Sequence, residues 1–223
     1  MKTGLAAAAL LLAMATSAAA EFPDPALTPV GIGDSWTFKR TATGQSSNVS
    51  RIIFKIAQQG PSNQYIIQSL PAEVSGRGPT AWRNAGTIDM DACMIDFFGG
   101  ATLGITNSCN TAFTPGMDWN TEETSQGART AQRYQIIGPE AVTVGAGNFQ
   151  AIRIESQWEV AKVLNAGKSP LKYAAPQRYL FTYWYAPETR TMVKTEREFR
   201  NAAGTVEVRS TDELEAFRAM KKR

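Results

Sequence analysis

The sequence predicts an all-β, mainly antiparallel domain, folded as a strongly curved sheet or half-open barrel with a short C-terminal helix. Apolar residues recur at every second position from Trp36 onward, which places one face of each strand on a core and the other in water. Turn-forming Gly, Pro and Asn residues separate these short segments, as they do in an antiparallel meander. Because a flat sheet covered by one short helix leaves a face unburied, the sheet must curl or find a partner.

The predicted strands follow an extended N-terminal arm, Glu21–Gly33, in which prolines fix φ and remove N–H donors. In the first half of the chain the alternating residues are Trp36 and Phe38; Ile52, Phe54 and Ile56; the short stretch Tyr65–Gln68; and Ile88, Met90, Ala92 and Met94. In the second half the predicted strands are Thr130–Ile137 and Glu140–Val144, split by Gly138-Pro139, then Ile152–Val160, Arg178–Tyr185, Thr191–Arg200 and Thr205–Arg209.

The C-terminal helix is predicted from two local signals. Ser210 and Glu213 have the spacing of a capping box, in which each side chain bonds the other residue's backbone N–H. After them, Leu214, Phe217 and Met220 recur at helical spacing, and the chain ends in basic residues that suit a helix C-terminus. We expect this helix to lie against the sheet.

Two long segments lack a clear pattern and are predicted to be loops, Phe97–Gly127 and Ala161–Gln177. Loops of this length in a compact domain are usually functional or mobile. The first is the natural candidate for a lid, and the second is long enough to fold over an opening.

Residues 1–20 are predicted to be a cleavable signal peptide. A positively charged start is followed by the uncharged run Leu5–Ala15 and by small residues before Glu21, as signal peptidase requires. The apolar run is shorter than the about 20 residues that a spanning helix needs. We therefore expect a single β-rich domain, residues 21–223, in the periplasm or secreted. N-terminal sequencing of the exported protein should begin at Glu21, and an uncleaved N-terminus would contradict this.

Composition narrows the possible functions. The formal net charge is +3, and no basic stripe predicts nucleic-acid binding. The chain has no histidine, which excludes Ser-His-Asp and Cys-His catalysis and imidazole zinc sites. Carboxylate or lysine catalysis is not excluded on this ground, but no nucleophile sits in a recognisable motif and no phosphate-binding loop opens a helix. We therefore expect a non-enzymatic protein without a cofactor or metal.

The three acidic residues that come nearest to a metal-binding group are Asp89, Asp91 and Asp96. The first two share a strand face and could offer oxygens to a cation such as Ca²⁺. Solvated charges on the outer face of an edge strand explain the same pattern, because such strands commonly carry charge. This second interpretation is preferred, so no metal site is predicted.

Cys93 and Cys109 are the two cysteines of the chain. An even number of cysteines in an exported protein favours a disulfide. Two buried thiols and a metal pair are the alternatives, although two ligands alone make a poor metal site. A disulfide that closes a loop of about 15 residues stabilises a fold by about 3 kcal/mol in the chain-entropy model.

We predict that Cys93 and Cys109 are joined, because the bond would attach the glycine-rich loop to the strand before it. Thiol labelling of the unreduced, denatured protein should then find no free sulfhydryl. Labelling of both cysteines would contradict the bond.

Three motifs together resemble a known family. They are VGIGDSWTF at Val30–Phe38, EAVTVGAGNFQAIRIE at Glu140–Glu155, and YWYAPETRTMVKTE at Tyr183–Glu196. The chain is similar to a family of exported bacterial proteins described as a domain of unknown function. This resemblance implies export and a shape like the half-open β-barrel of periplasmic lipoprotein carriers, and it implies no catalytic residues. Where that family has a glycine-rich turn after the YWYAP strand, this chain has Glu188-Thr189-Arg190.

The row Tyr179, Phe181, Tyr183 and Tyr185 is the feature most open to a functional interpretation, with Leu180 and Trp184 on the other face of the same strand. Aromatic residues are common in strands and pack across them, so the row is explained by a core alone. Alternatively, a curled sheet leaves an apolar cavity lined by this row and by a second wall of Ile152, Ile154 and Trp158.

Two hypotheses follow from these alternatives. The first is a periplasmic module that binds or carries an apolar, lipid-like molecule. The second is an envelope structural or interaction protein that presents its sheet edge or long loop to a protein partner.

Overall fold

Ten strands and one 3₁₀ turn make up the computed structural model, which describes residues 29–43, 48–72, 81–90, 94–95, 97, 113–125, 127–165 and 170–220. In chain order the strands are β1 (Ser35–Thr43), β2 (Asn48–Gln59), β3 (Gln64–Ala72), β4 (Arg83–Asp89), β5 (Asp118–Ser125), β6 (Ala128–Val144), β7 (Gly147–Lys162), β8 (Gln177–Ala186), β9 (Thr191–Arg200) and β10 (Val206–Arg218). The 3₁₀ turn, Pro187–Thr189, joins β8 to β9. The predicted signal peptide and both cysteines lie outside the described residues.

The strands form one antiparallel sheet in the order β4-β3-β2-β1-β10-β9-β8-β7-β6-β5. The first and last strands lie side by side, because β10 pairs with both β1 and β9. Among the described strands, β4 and β5 are the two edges and do not pair with each other, so the sheet is not closed into a barrel. The predicted all-β antiparallel class with a curved sheet is confirmed.

The curvature is visible where distant strands touch. The tip of the β6–β7 hairpin reaches back to β10, and the Ala146 N–H donates to the Leu214 carbonyl oxygen at 2.9 Å. In the sheet order, β8 and β9 lie between that hairpin and β10, so this contact requires the sheet to bend. Gly145 lies so close to β10 that a Cβ there would be 3.3 Å from the Cα of Glu215.

The predicted C-terminal helix is wrong. Residues Val206–Arg218 form strand β10, in which Leu214 pairs with Phe38 and Phe217 pairs with Trp36. The helical spacing arose from a β-bulge in this pair, because one extra residue returns Phe217 to the face of Leu214. The backbone of β1 also needs a partner on this side, and the sheet hydrogen bonds of β10 override the local capping box.

The predicted break in a strand at Gly138-Pro139 is also wrong. The Gly138-Pro139 pair does not split a strand, because β6 runs through it with a bulge between Ile136 and Gly138. The pairing of β5 with β6 extends only to Gln135, which lies opposite Asp118. Proline is therefore tolerated at position 139, because no described strand on the outer side of β6 needs a backbone N–H from it.

The predicted loop Phe97–Gly127 contains an edge strand, β5, which pairs with β6 throughout its length. Its sequence is almost wholly polar because only Trp119 of its eight residues is not exposed. An edge strand that buries so little lacks the alternating pattern by which strands are recognised. The other predicted loop, Ala161–Gln177, is confirmed in part, since β7 ends at Lys162 and an isolated bridge joins Val163 to Tyr173.

One end of the sheet is held by Asp34, which is 2% exposed. Its carboxylate accepts hydrogen bonds from the Gly31 N–H at 2.9 Å and the Met220 N–H at 2.8 Å, and it pairs with the Arg190 guanidinium at 2.7 Å. Nearby, the Trp36 indole N–H donates to the Thr189 carbonyl oxygen at 2.8 Å. Two of the three motifs, Val30–Phe38 and Tyr183–Glu196, therefore meet here.

Arg190 occupies the left-handed region, with φ of 58°. Glycine adopts this conformation without strain, whereas another residue there costs on the order of 1 kcal/mol. The backbone conformation alone would favour glycine at this position. The buried ion pair with Asp34 explains why the residue is arginine.

We predict that Arg190→Gly destabilises the protein by about 3 kcal/mol in denaturant unfolding, since relief of backbone strain is smaller than the effect of leaving Asp34 buried without its cation. The matched control is Asn63→Gly, at an exposed turn residue with φ of 57° and no ion pair, which should change stability by less than about 0.5 kcal/mol. Equal stability of Arg190→Gly and the unmodified protein would contradict a structural role for this pair.

Candidate functional site

Six residues at the end of the sheet far from the 3₁₀ turn share one face of strands β7, β8 and β9. Residues directly opposite one another in antiparallel strands project to the same face. One row joins Ser156, Phe181 and Arg197, and the next joins Trp158, Tyr179 and Phe199. We call these six residues the aromatic patch.

The predicted aromatic row divides between core and surface. Tyr183 and Tyr185 are 1% and 2% exposed, and they pack with Ile152 and Ile154 in a buried cluster. Burial raises the pKa of Tyr185, so its hydroxyl stays protonated at neutral pH. These four predicted site residues therefore belong to the core.

The remaining predicted site residues, Trp158, Tyr179 and Phe181, are only partly buried. Their rings form two contacting pairs. The ring centroids of Trp158 and Phe181 are 4.8 Å apart, and those of Tyr179 and Phe199 are also 4.8 Å apart. Phe181 also stacks on Tyr183 at 5.7 Å, which connects the surface rings to the buried cluster. The patch is thus the exposed continuation of the core.

The Ser156 hydroxyl and the Trp158 indole N–H have no hydrogen-bond partner among the described residues. Ser156 is 6% exposed, so its hydroxyl is largely removed from water. A buried polar group without a partner costs about 1–3 kcal/mol, and such groups in native proteins normally bond a water or a ligand.

Three charged residues on this face, Arg40, Arg197 and Asp212, form a group beside the patch. The buried carboxylate of Asp212 pairs with Arg40 at 2.7 Å and with Arg197 at 2.8 Å. Arg40 binds both oxygens, through Nε and Nη2, so the carboxylate is held from two sides. The side chain of Arg197 is 19% exposed and is the member of this group that reaches the patch.

Sequence reasoning missed Ser156, Arg197 and Phe199. Period-two alternation in the predicted strand Thr191–Arg200 does place Arg197 and Phe199 on one face. What it cannot supply is the register that sets them opposite Phe181 and Tyr179, which only strand pairing reveals.

The opposite face of the same strands has a different character. Trp184 lies there, as predicted, and its indole N–H donates to Glu140 at 3.0 Å. This hydrogen bond, with further help from Arg153, holds the pKa of Glu140 below its usual range. A shallow depression of about 300 Å³ in this part of the sheet includes two residues of the aromatic patch in its lining, which consists of Arg133, Tyr134, Gln135, Glu155, Ser156, Gln157, Leu180, Phe181 and Thr182.

A second depression, of about 230 Å³, lies between strands β2–β4 and the residues Met94, Ile95 and Phe97. It is lined mainly by apolar side chains, including Phe54, Ile67, Ile88, Ile95 and Phe97.

The acidic residues and the cysteines singled out from the sequence add no further functional site among the described residues. Asp91, Asp96, Cys93 and Cys109 lie outside the described residues, so the disulfide stays a prediction. Asp89 accepts a hydrogen bond from the Gln64 amide at 3.0 Å. Within the described ranges, no three Asp, Glu or Cys side chains gather closely enough to hold a metal ion. The same part of the chain contains no helix long and apolar enough to cross a membrane.

Comparison with known proteins gives only distant similarities. No family model and no curated protein matches the sequence. A candidate exported protein with a YmcC-like fold from Bacteroides fragilis is 13% identical, with a TM-score of 0.45, over 86% of this chain and 98% of that one. A candidate lipoprotein from Parabacteroides distasonis is 12% identical, with a TM-score of 0.44, over 86% and 98%. The hypothetical lipoprotein YmcC from Escherichia coli is 15% identical, with a TM-score of 0.31, over 85% of each chain.

These TM-scores are all below 0.5, so the similarities support no functional inference. The resemblance to a family of exported proteins of unknown function stays a prediction, and the function must be inferred from the residues of this chain.

Proposed function

We propose that this chain is an exported, non-enzymatic binding protein that holds an apolar, lipid-like molecule against the aromatic patch. The observation that carries the proposal is the combination of four partly exposed rings with a buried hydroxyl, that of Ser156, for which the described residues provide no partner. A core would bury the rings, and a solvated surface would leave the hydroxyl in water. A bound ligand would explain both observations, because it would cover the rings and form a hydrogen bond with the hydroxyl.

The apolar contact alone is too small for tight binding. An aromatic side chain buries about 150–250 Å² when fully covered, so covering the exposed parts of four rings removes on the order of 200 Å² from water. At about 25 cal/mol per Å² this is worth about 5 kcal/mol, which is comparable to the loss of translational and rotational freedom on binding. The polar atoms of Ser156 and Trp158 must therefore contribute to any stable complex.

The absence of histidine supports binding over catalysis, because it removes the commonest general acid and base. Burial also raises the pKa of Tyr185, so its hydroxyl is a poor general base at neutral pH. The signal peptide predicted at residues 1–20 supports export, which would place the patch where envelope lipids are available.

The test is uptake of an apolar fluorophore, N-phenylnaphthylamine, by the exported protein. Phe181→Ala and Trp158→Ala should each weaken uptake about tenfold, because truncation of a contact ring typically costs more than 1 kcal/mol. Leu180→Ala is the matched control, since Leu180 is the neighbour of Phe181 on the opposite face and is similarly buried. It should change uptake by less than about twofold, and circular dichroism should confirm that all variants fold.

Two outcomes would overturn this function. One is the absence of fluorophore uptake by the unmodified protein. The other is an equal loss of uptake in Leu180→Ala and Phe181→Ala, which would trace the effect to general loosening of the sheet.

A second candidate function is favoured by one separate observation at the edge of the sheet. Beyond Ile136, the outer side of β6 has no strand neighbour among the described residues, and Ile137 there is 42% exposed. An uncovered strand edge is a template for pairing with a strand of another protein. In that case Ile137→Lys should abolish co-purification of an envelope partner while fluorophore uptake is unchanged.

A further inference from the structure

We infer that the ligand of the aromatic patch is an acyl ester, whose carbonyl oxygen accepts hydrogen bonds from the Ser156 hydroxyl and the Trp158 indole N–H while its hydrocarbon chain covers the rings. This inference rests on the proposed binding function and adds the chemical class of the ligand. It follows from two buried hydrogen-bonding groups on one strand, β7.

The Ser156 hydroxyl is the first of these groups. Ser156 comes two residues after the fully buried Ile154, and its partners on the adjacent strands are Tyr134 and Phe181. Only 6% of Ser156 is exposed, and no described residue bonds its hydroxyl. The hydroxyl of Tyr134 donates instead to the side chain of Gln132, at 2.9 Å. A ligand that bonded the Ser156 hydroxyl would offset the cost of burying it.

The indole N–H of Trp158 is the second group. Its nitrogen is buried and has no partner among the described residues. Two other tryptophans of the sheet show the usual situation, since the indole N–H of Trp36 donates to the Thr189 carbonyl oxygen and that of Trp184 donates to Glu140. Within the described fold, Trp158 therefore lacks the acceptor that a buried indole normally has.

The positions of the two groups favour a ligand with a carbonyl group. Ser156 and Trp158 are two residues apart on one strand, so their Cα atoms are about 7 Å apart and their side chains project to the same face. An indole N–H can only donate, and a hydroxyl can donate or accept, so an acceptor suits both. A carbonyl oxygen has two lone pairs and can accept from both, whereas a hydrocarbon would leave both groups without a partner.

The surroundings of these groups favour a neutral acceptor over a charged one. Ser156 lies among apolar and aromatic residues, Ile154, Trp158 and Phe181. Removing an ionised carboxylate from water costs far more than removing a neutral carbonyl group. The cation on the same row, Arg197, already pairs with the buried carboxylate of Asp212 at 2.8 Å. An ester supplies a carbonyl group without a charge and carries a hydrocarbon chain in the same molecule.

The ester reaches these groups by displacing a ring, because both polar atoms are buried. Trp158 and Phe181 are partly exposed, and their ring centroids are 4.8 Å apart. Side chains at a surface change rotamer within nanoseconds, whereas Ile154 is held in the core. The ester group therefore enters between the two rings, and the rest of its chain covers them.

The test compares methyl dodecanoate with methyl dodecyl ether, which lacks only the carbonyl oxygen. Each compound is used to displace N-phenylnaphthylamine from the unmodified exported protein. The ester should bind about tenfold more tightly, because each of the two hydrogen bonds should improve binding about threefold. Ser156→Ala and Trp158→Phe should each lower this ester-to-ether ratio about threefold, and the double variant should lower it to about one.

Trp184→Phe is the matched control, since it removes an indole N–H from the opposite face, where that group bonds Glu140. It should keep the full ester-to-ether ratio. Loss of the ratio in this variant would assign the preference to general loosening of the sheet and would overturn the inference.

Nuclear magnetic resonance observes the proposed contact directly. The ester should move the indole N–H proton signal of Trp158 downfield, and farther than the ether does, because a stronger acceptor deshields this proton. The signal of Trp184 should stay in place, and the spectra of Trp158→Phe and Trp184→Phe assign the two signals. An ester that binds without moving the Trp158 signal would overturn the inference.

The remaining outcomes separate this inference from the proposed function. If the unmodified protein takes up no fluorophore, the proposed function fails. If it takes up the fluorophore but ester and ether displace it equally, the function stands and the acyl ester is ruled out, whether or not the variants fold. Dodecanoate at pH 8, where its carboxylate is ionised, should bind more weakly than the ester. Tighter binding of the carboxylate would overturn the inference in favour of a charged ligand.

Discussion

Three segments that are far apart in the sequence meet on the carboxylate of Asp34: the N-terminal arm at Gly31, the C-terminal end at Met220, and the β8–β9 turn at Arg190. In the sheet order, β10 and β9 lie between β1 and β8, so a flat sheet would hold Asp34 and that turn about 10 Å or more apart. Their 2.7 Å ion pair and the Trp36–Thr189 hydrogen bond therefore require a sharp bend at this end. The curvature of the sheet depends on this group of contacts.

The bend explains why the two ends of the same strands differ. On β8, Tyr185 and Tyr183 lie toward the end that Asp34 closes and are almost fully buried, whereas Phe181 and Tyr179 lie farther away and remain partly exposed. The exposed rings are thus not a separate device added to the surface. They continue the row of buried residues on β8 into the part of the sheet where the curvature no longer covers that face.

The sequence was sufficient to predict the strands that bury one face, because the alternation of apolar and polar residues follows directly from burial of that face. It failed at β10, where a bulge between Leu214 and Phe217 produced helical spacing within a strand, and at β5, where an edge strand with almost no buried residue has no alternation to read. The site was half predicted for the same reason. Trp158 and Phe181 are recognisable as apolar strand residues, but the residues that give the patch its polarity depend on register, which is a property of pairing and not of one strand.

Ser156 shows best that the patch is more than unburied core. It follows Ile152 and Ile154 on the same face of β7, at a position where a β-branched apolar residue would pack against Phe181 and raise strand stability. Serine gives up that packing and brings a hydroxyl that no described residue bonds. A chain selected for stability alone would fill this position with valine or isoleucine, and the ligand that we propose would account for the serine by bonding its hydroxyl.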